Sequence, residues 1–172
     1  GASQAYGLSF TPGTWVESIQ ITKGAGSVVN GYESISGQIN TELLKPLKDI
    51  PFFLNAYGST DSRFELNTHF TKKISDKWAT SLFLHGNTRV AKNDMNHDHF
   101  LDNPLGKQVN VTNRWQYSNA ETGWVSFFNL KFMKDEKQTG ELDFDKKRDK
   151  LTTNFWGSEI NTERLDFTSK IG

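Results

Sequence analysis

The apolar residues of this chain recur with a period of two, and that alternation most limits what it can fold into. Between Arg63 and Thr71, the residues Phe64, Leu66, Thr68 and Phe70 share one side of an extended chain. Arg63, Glu65, Asn67, His69 and Thr71 share the other. A helical period would group Arg63, Phe64 and Asn67, which is no core stripe. The pattern recurs downstream: Trp78, Thr80, Leu82, Leu84 and Val90 oppose Lys77, Ser81, His85, Asn87 and Arg89. Val111, Asn113, Trp115 and Tyr117 oppose Thr112, Arg114, Gln116 and Ser118. Trp124, Phe128, Leu130 and Phe132 mark one face of 123–134, although Val125, Phe127 and Met133 make its other face fairly apolar too. Leu165, Phe167 and Ile171 alternate with Arg164, Asp166, Thr168 and Lys170. With 51–60, where Pro51 suits a first strand position, this predicts six strands from residue 51 onward.

Composition turns this pattern into a specific expectation. The chain is 172 residues long and 13% aromatic, yet only 35% hydrophobic, against roughly 45–50% apolar for an average domain. Strands with one extensive apolar face and one extensive polar face reconcile these values, as in a β-barrel with a wet interior. The predicted connections agree. Those near 60–62, 72–77 and 118–122 are short, whereas 91–110 and 135–159 are long and polar. Long loops at one edge and short turns at the other are a barrel pattern. The second long segment includes Lys134–Lys150, where basic and acidic residues balance, as in a solvated loop. Trp78, Trp115, Tyr117, Trp124 and Trp156 fall near strand ends, where an aromatic girdle would sit.

Other classes are excluded or disfavoured. Lys and Arg number 20 and so do Asp and Glu, so no net charge draws the chain to nucleic acid or an anionic surface. The absence of Cys removes disulfides, thiolate metal sites and Cys nucleophiles. No apolar run approaches the roughly 20 residues of a membrane helix. No Ser-His-Asp arrangement or paired carboxylates in an apolar setting suggest an enzyme.

Residues 1–50 follow a different plan. Trp15–Lys23 and Gln38–Leu44 read as strands around a connection containing Gly24, Gly26, Gly31 and Gly37. Val16, Glu17, Ile19, Ile21, Lys23, Gly24, Asn30, Gly31, Gly37, Ile39 and Asn40 occur in an order that resembles the end of the plug domain of TonB-dependent outer-membrane receptors. Ala25, Ser18 and Gln38 depart from the usual Pro, Arg and Gly, as in a variant of the Bacteroidota kind. The resemblance is strong over about a fifth of the chain.

The resemblance implies a mainly β fold. Residues 1–50 would end a mixed plug domain, and 51–172 would supply about six antiparallel strands of a 22-strand transmembrane barrel. The chain would then be a fragment. It also implies a function: a receptor in the outer membrane of a Gram-negative bacterium, importing a scarce nutrient such as a metal or metal complex. TonB and its inner-membrane complex, outer-membrane lipid and a surface lipoprotein would be its partners. In this reading Glu17, Lys23, Gly24, Gly31, Gly37, Ile39 and Asn40 are plug-motif residues. Two alternatives stand beside it: a secreted soluble β-sandwich binding calcium or carbohydrate, and a receptor homologue acting as a structural partner in an outer-membrane assembly.

One loop carries candidate metal ligands. Asp94, Asn96, Asp98 and Asp102 occupy relative positions 1, 3, 5 and 9 of a calcium loop. However, His99 replaces the Gly at position 6 and Leu105 the Glu at position 12, which rejects an EF-hand. Met95, His97 and His99 are donors suited to copper, and the two His alone to zinc. If the segment is extended, His97 and His99 point the same way. The competing account is a solvated loop with Asx turns. His69 and His85 lie on the polar parity of their strands, which favours inward-facing roles over metal ligation.

Overall fold

The computed structural model describes residues 10–24 and 37–172, and the chain is mainly β with antiparallel sheets. A short 3-10 turn, Gly13–Trp15, leads into β1 (Val16–Lys23), which pairs with β2 (Gly37–Leu43) as a two-stranded sheet. The remaining strands are β3 (Phe52–Gly58), β4 (Arg63–Lys73), β5 (Trp78–Arg89), β6 (Leu105–Asn119), β7 (Trp124–Gly140) and β8 (Gly157–Ile171). They form one six-stranded sheet in sequential order, each strand antiparallel to the next, with continuous register.

The alternation sorts the side chains as the sequence implies, but the sheet is inverted relative to a soluble one. On one face Phe52, Leu54, Phe64, Leu66, Phe70, Trp78, Leu82, Val109, Trp115, Leu130, Phe132, Leu165 and Phe167 are all exposed. On the other, Asn67, His69, Ser81, His85, Gln108, Asn110, Thr112, Arg114, Gln116 and Asp135 are buried. Trp78, Trp115 and Tyr117 cluster at the end of the apolar face that carries the β4–β5 and β6–β7 turns, with ring centroids 5.0 and 6.4 Å apart; the short β3–β4 turn lies at the other end beside the long connections, so short and long connections are not fully segregated as expected. Trp124, at the start of β7, lies at that same end. Trp156 does not join them; it packs 6.1 Å from Phe100 in the loops at the opposite end.

The turns are built from local acceptors. In the β3–β4 turn, Ser62 adopts a left-handed backbone, and the Ser59 amide donates to the Arg63 carbonyl at 2.9 Å. Ser59 also bonds Asp61, and that bond is the main reason the Asp61 carboxyl sits below its ordinary pKa. In the β4–β5 turn, Ser75 Oγ accepts the amides of Lys77 and Trp78.

Two boundaries correct the sequence expectation. β6 begins at Leu105, not near Val111, and β7 runs to Gly140, not to about Lys134. The long connections are therefore 90–104 and 141–156. The added strand residues are largely polar and charged, so they carry no apolar alternation. Their ladder still holds, because backbone pairing needs no hydrophobic side chains. Lys107 opposes Glu136 and Gln108 opposes Asp135.

At the far end of β7, Gly140 (φ 126°) opposes Gly157. A Cβ on Gly157 would lie 2.3 Å from the Phe144 ring, which folds back over that corner. Only glycine fits there.

The segment before β1 packs against the polar face. Trp15 is 1% exposed, with its ring 5.5 Å from Phe83 and edge-on to His85 at 6.4 Å. Trp15→Ala is expected to destabilise this seating by about 3–5 kcal/mol, the usual range for a buried aromatic. Ile21→Ala, at a site 71% exposed, should stay within about 0.5 kcal/mol. Limited proteolysis of the 10–24 segment in the two variants checks both values.

Candidate functional site

The buried polar face is the candidate site, because it gathers most of the buried hydrogen-bonding side chains described here. A relay crosses five strands, β3 to β7. Asn67 donates to Asn55 (3.3 Å) and Glu65 (2.9 Å) and lies 2.6 Å from His85 Nδ1. His85 Nε2 is 2.9 Å from Asn87, which donates to Gln108 at 3.2 Å. Gln108 donates to Asp135 at 3.1 Å, and Asp135 also takes Lys137. Since neutral carboxamides separate the charges, the face stays hydrophilic without a run of like charge. Such a network holds only when nearly every member is satisfied.

Two pieces of the N-terminal region dock on this face. The Phe10 carbonyl accepts from both Asn110 Nδ2 and Lys131 Nζ at 2.7 Å, and Lys137 lies over the Phe10 ring. The linker after β2 makes the second contact. Gln116 accepts the Leu47 amide at 3.1 Å, and Thr71 donates to Asp49 at 3.2 Å. Asp49 also lies 3.0 Å from His69 Nε2, close enough for charge pairing but poorly aimed for a hydrogen bond. His69 and His85 are both buried on this polar face. Phe10, Asp49, Asn110 and Lys131 were not singled out by sequence. No local pattern announces a contact 100 residues away.

The plug-motif residues are placed as follows. Glu17 is the extra residue of a bulge, since Val16 opposes Leu43 and Ser18 opposes Glu42. The bulge turns Glu17 toward Lys45, 3.1 Å away. That hydrogen bond is the main reason the Lys45 ammonium is held above its ordinary pKa. Lys23 opposes Gly37, Ile39 opposes Ile21, and Asn40 donates to Gln20 at 3.2 Å. Gly24 has φ 84°, which explains glycine there. Gly31 lies outside the described residues.

Of the accounts open for the 94–102 loop, the geometry follows the Asx turns. Its carboxylates are engaged by backbone amides. Asp94 accepts the amides of Asp98 (3.1 Å) and His99 (2.9 Å), Asp102 accepts Met95 (2.8 Å), and Asp98 accepts Phe100 (2.9 Å) and Asn96 (2.9 Å). His97 and His99 both adopt left-handed backbones, φ 60° and 66°, so the segment is not extended and the inference of parallel imidazoles fails. These are Asx-type turns, in which a short acidic side chain replaces a backbone acceptor. Among the described residues, no three His, Asp or Glu converge into a metal-sized cluster. The loop docks on its neighbour: Leu142 donates to the His99 carbonyl at 2.8 Å, Leu101 to Gly140 at 2.9 Å, and Lys92 to Leu142.

No protein-family model, curated protein or solved structure matches the chain.

The loop's acids give a pH prediction. The Phe100 amide first, then Asn96, hold the Asp98 carboxyl below its ordinary value of 3.8. A depressed folded pKa means the stabilisation is complete above 3.8 and is lost as pH falls through the folded value. Protection of the Phe100 amide, corrected for intrinsic exchange, should therefore be flat from neutral pH to about 5 and fall below about 3.8. Asp94→Ala should speed exchange at Asp98 and His99 about tenfold at neutral pH, equivalent to about 1.4 kcal/mol.

Proposed function

We propose that this chain is part of a TonB-dependent outer-membrane receptor, with 51–172 as the first strands of its barrel and the preceding residues as the end of its plug. The single observation that carries the reading is the inverted sheet: an exposed apolar face backed by a buried, hydrogen-bonded polar face with an N-terminal segment seated on it. In water such a sheet would leave its apolar residues uncovered. Facing lipid, the same residues are in their favoured solvent.

Dimensions support the reading. On β7 the outward column runs from Trp124 to Lys134. At about 3.3 Å per residue and a tilt near 40°, that run covers about 25 Å, the height of the apolar band in such barrels. The Trp78, Trp115 and Tyr117 cluster would mark one interface and the onset of charge at Lys134 the other. β3 and β8, the sheet edges, would pair with further strands, since open edges are not tolerated in lipid. Because the plug enters from the periplasm, β3, β5 and β7 run outward, and 90–104 and 141–156 face the medium.

The mechanism is then energised import. Cargo binds the outer loops and the plug, TonB draws on the plug from within, and cargo passes along the polar face. The uncompensated apolar face weighs against a soluble sandwich. Among the described residues the second sheet has two strands, and the N-terminal region meets the polar face through Leu47 and Phe10.

Membrane association, uptake and variant stability test this. The full-length protein should remain in membranes through carbonate washing and migrate faster unboiled on SDS gels; its release as a soluble species would end the reading. Deleting the TonB-contacting segment should abolish cargo uptake, whereas unchanged uptake would favour a structural partner. Leu130→Lys on the apolar face should lower folded stability in bilayers by about 2–4 kcal/mol, while Thr168→Lys on the other face should be nearly neutral.

A further inference from the structure

Arg63 and Arg89 are directly opposed across the β4–β5 ladder, both on the polar face. Like charges in that relation repel, so their pairing calls for a reason. Both line one cavity of about 320 Å³ with His85, Asn87, Asp135 and Lys137, closed on one side by Thr11–Gly13.

The hydrogen-bond inventory of the cavity is lopsided. Its acids are well supplied. Glu65 takes Arg63 (2.7 Å) and Asn67 (2.9 Å), and Asp135 takes Gln108 and Lys137; outside the cavity lining, Asp61 takes Ser59 and Arg89 (3.0 Å). Each guanidinium carries five N–H donors, and the acids occupy one terminal nitrogen of each. Arg89 Nε is buried with no hydrogen-bond partner among the described residues. The cavity therefore holds an excess of donors over acceptors, on two planar forks suited to bidentate oxyanions.

We propose that this cavity binds the oxyanion groups, carboxylate or phosphate, of an anionic cargo, with Arg63 and Arg89 as its two principal ligands. As a cargo site it rests on the receptor reading; as an anion site it does not. The ligand supplies the missing acceptors and relieves the repulsion between the guanidiniums. A neutral ligand would do the first only in part and the second not at all.

Calorimetry on the full-length protein in detergent tests this with citrate, pyrophosphate and glucose as probes. Citrate binding alone identifies carboxylate, pyrophosphate binding alone identifies phosphate, and binding of both identifies a general oxyanion site. In each case Arg63→Gln and Arg89→Gln should weaken binding at least tenfold, Arg89→Lys should weaken it less, and raising the salt should weaken it further. Without ligand, the thermal midpoints of the Gln variants should equal or exceed that of the parent, because one member of a repelling pair has gone. Failure of both anions to bind better than glucose would overturn the proposal. So would Gln variants that bind normally, or that lose binding only because they unfold. A protein that leaves the membrane in carbonate yet binds citrate through these arginines would keep the anion site and remove the receptor reading.

Discussion

A buried polar side chain must find a partner or lose the solvation it gave up, and most of the side chains on the concealed face of the large sheet find one, Thr112 and His69 being exceptions. Asn67, His85, Asn87, Gln108 and Asp135 come from four strands and satisfy one another only when every register is correct. A one-residue slip would point each of them to the other side. The apolar face imposes the same rule with less precision, because Leu and Phe tolerate sideways displacement. The polar relay is therefore what fixes strand register, and the hydrophobic residues fix only which side is which.

The same face determines where the N-terminal region sits. A single backbone carbonyl, that of Phe10, takes two long side chains from adjacent strands, and Trp15 fills the space beside Phe83 and His85. The linker after β2 adds Leu47 and Asp49. Two separated stretches of chain thus meet one wall through few contacts, most of them polar. Such a joint is specific in geometry and modest in strength, as suits an element that on the receptor reading must be held and then drawn on.

Much of this was legible in the sequence, and what was not has physical reasons. The alternation in 63–71 and 78–90 gave the strand faces because each carries both a hydrophobic and a polar signal. The ends of β6 and β7 were misjudged because Lys134, Asp135, Glu136 and Lys137 extend a ladder through backbone bonds that leave no hydropathy mark. Only an extended segment would put His97 and His99 on one side, and Asp94 captures two amides where the chain curls into left-handed turns. Arg63 and Arg89 were each visible as inward residues. Their mutual opposition depends on register, which no single segment contains. Glu17 stood out as a motif residue, while its role as a bulge appeared only once β1 was paired with β2.

The extension of β6 and β7 past the apolar band separates two kinds of sequence freedom. The paired charged residues form a collar; the loop 90–104 is tied to it by the Leu101 amide, which donates to the Gly140 carbonyl at the end of β7, and to the loop 141–156 by the Leu142 amide, which donates to His99. On the receptor reading, the sequence of the outer loops can change while the backbone ladder beneath them keeps its register.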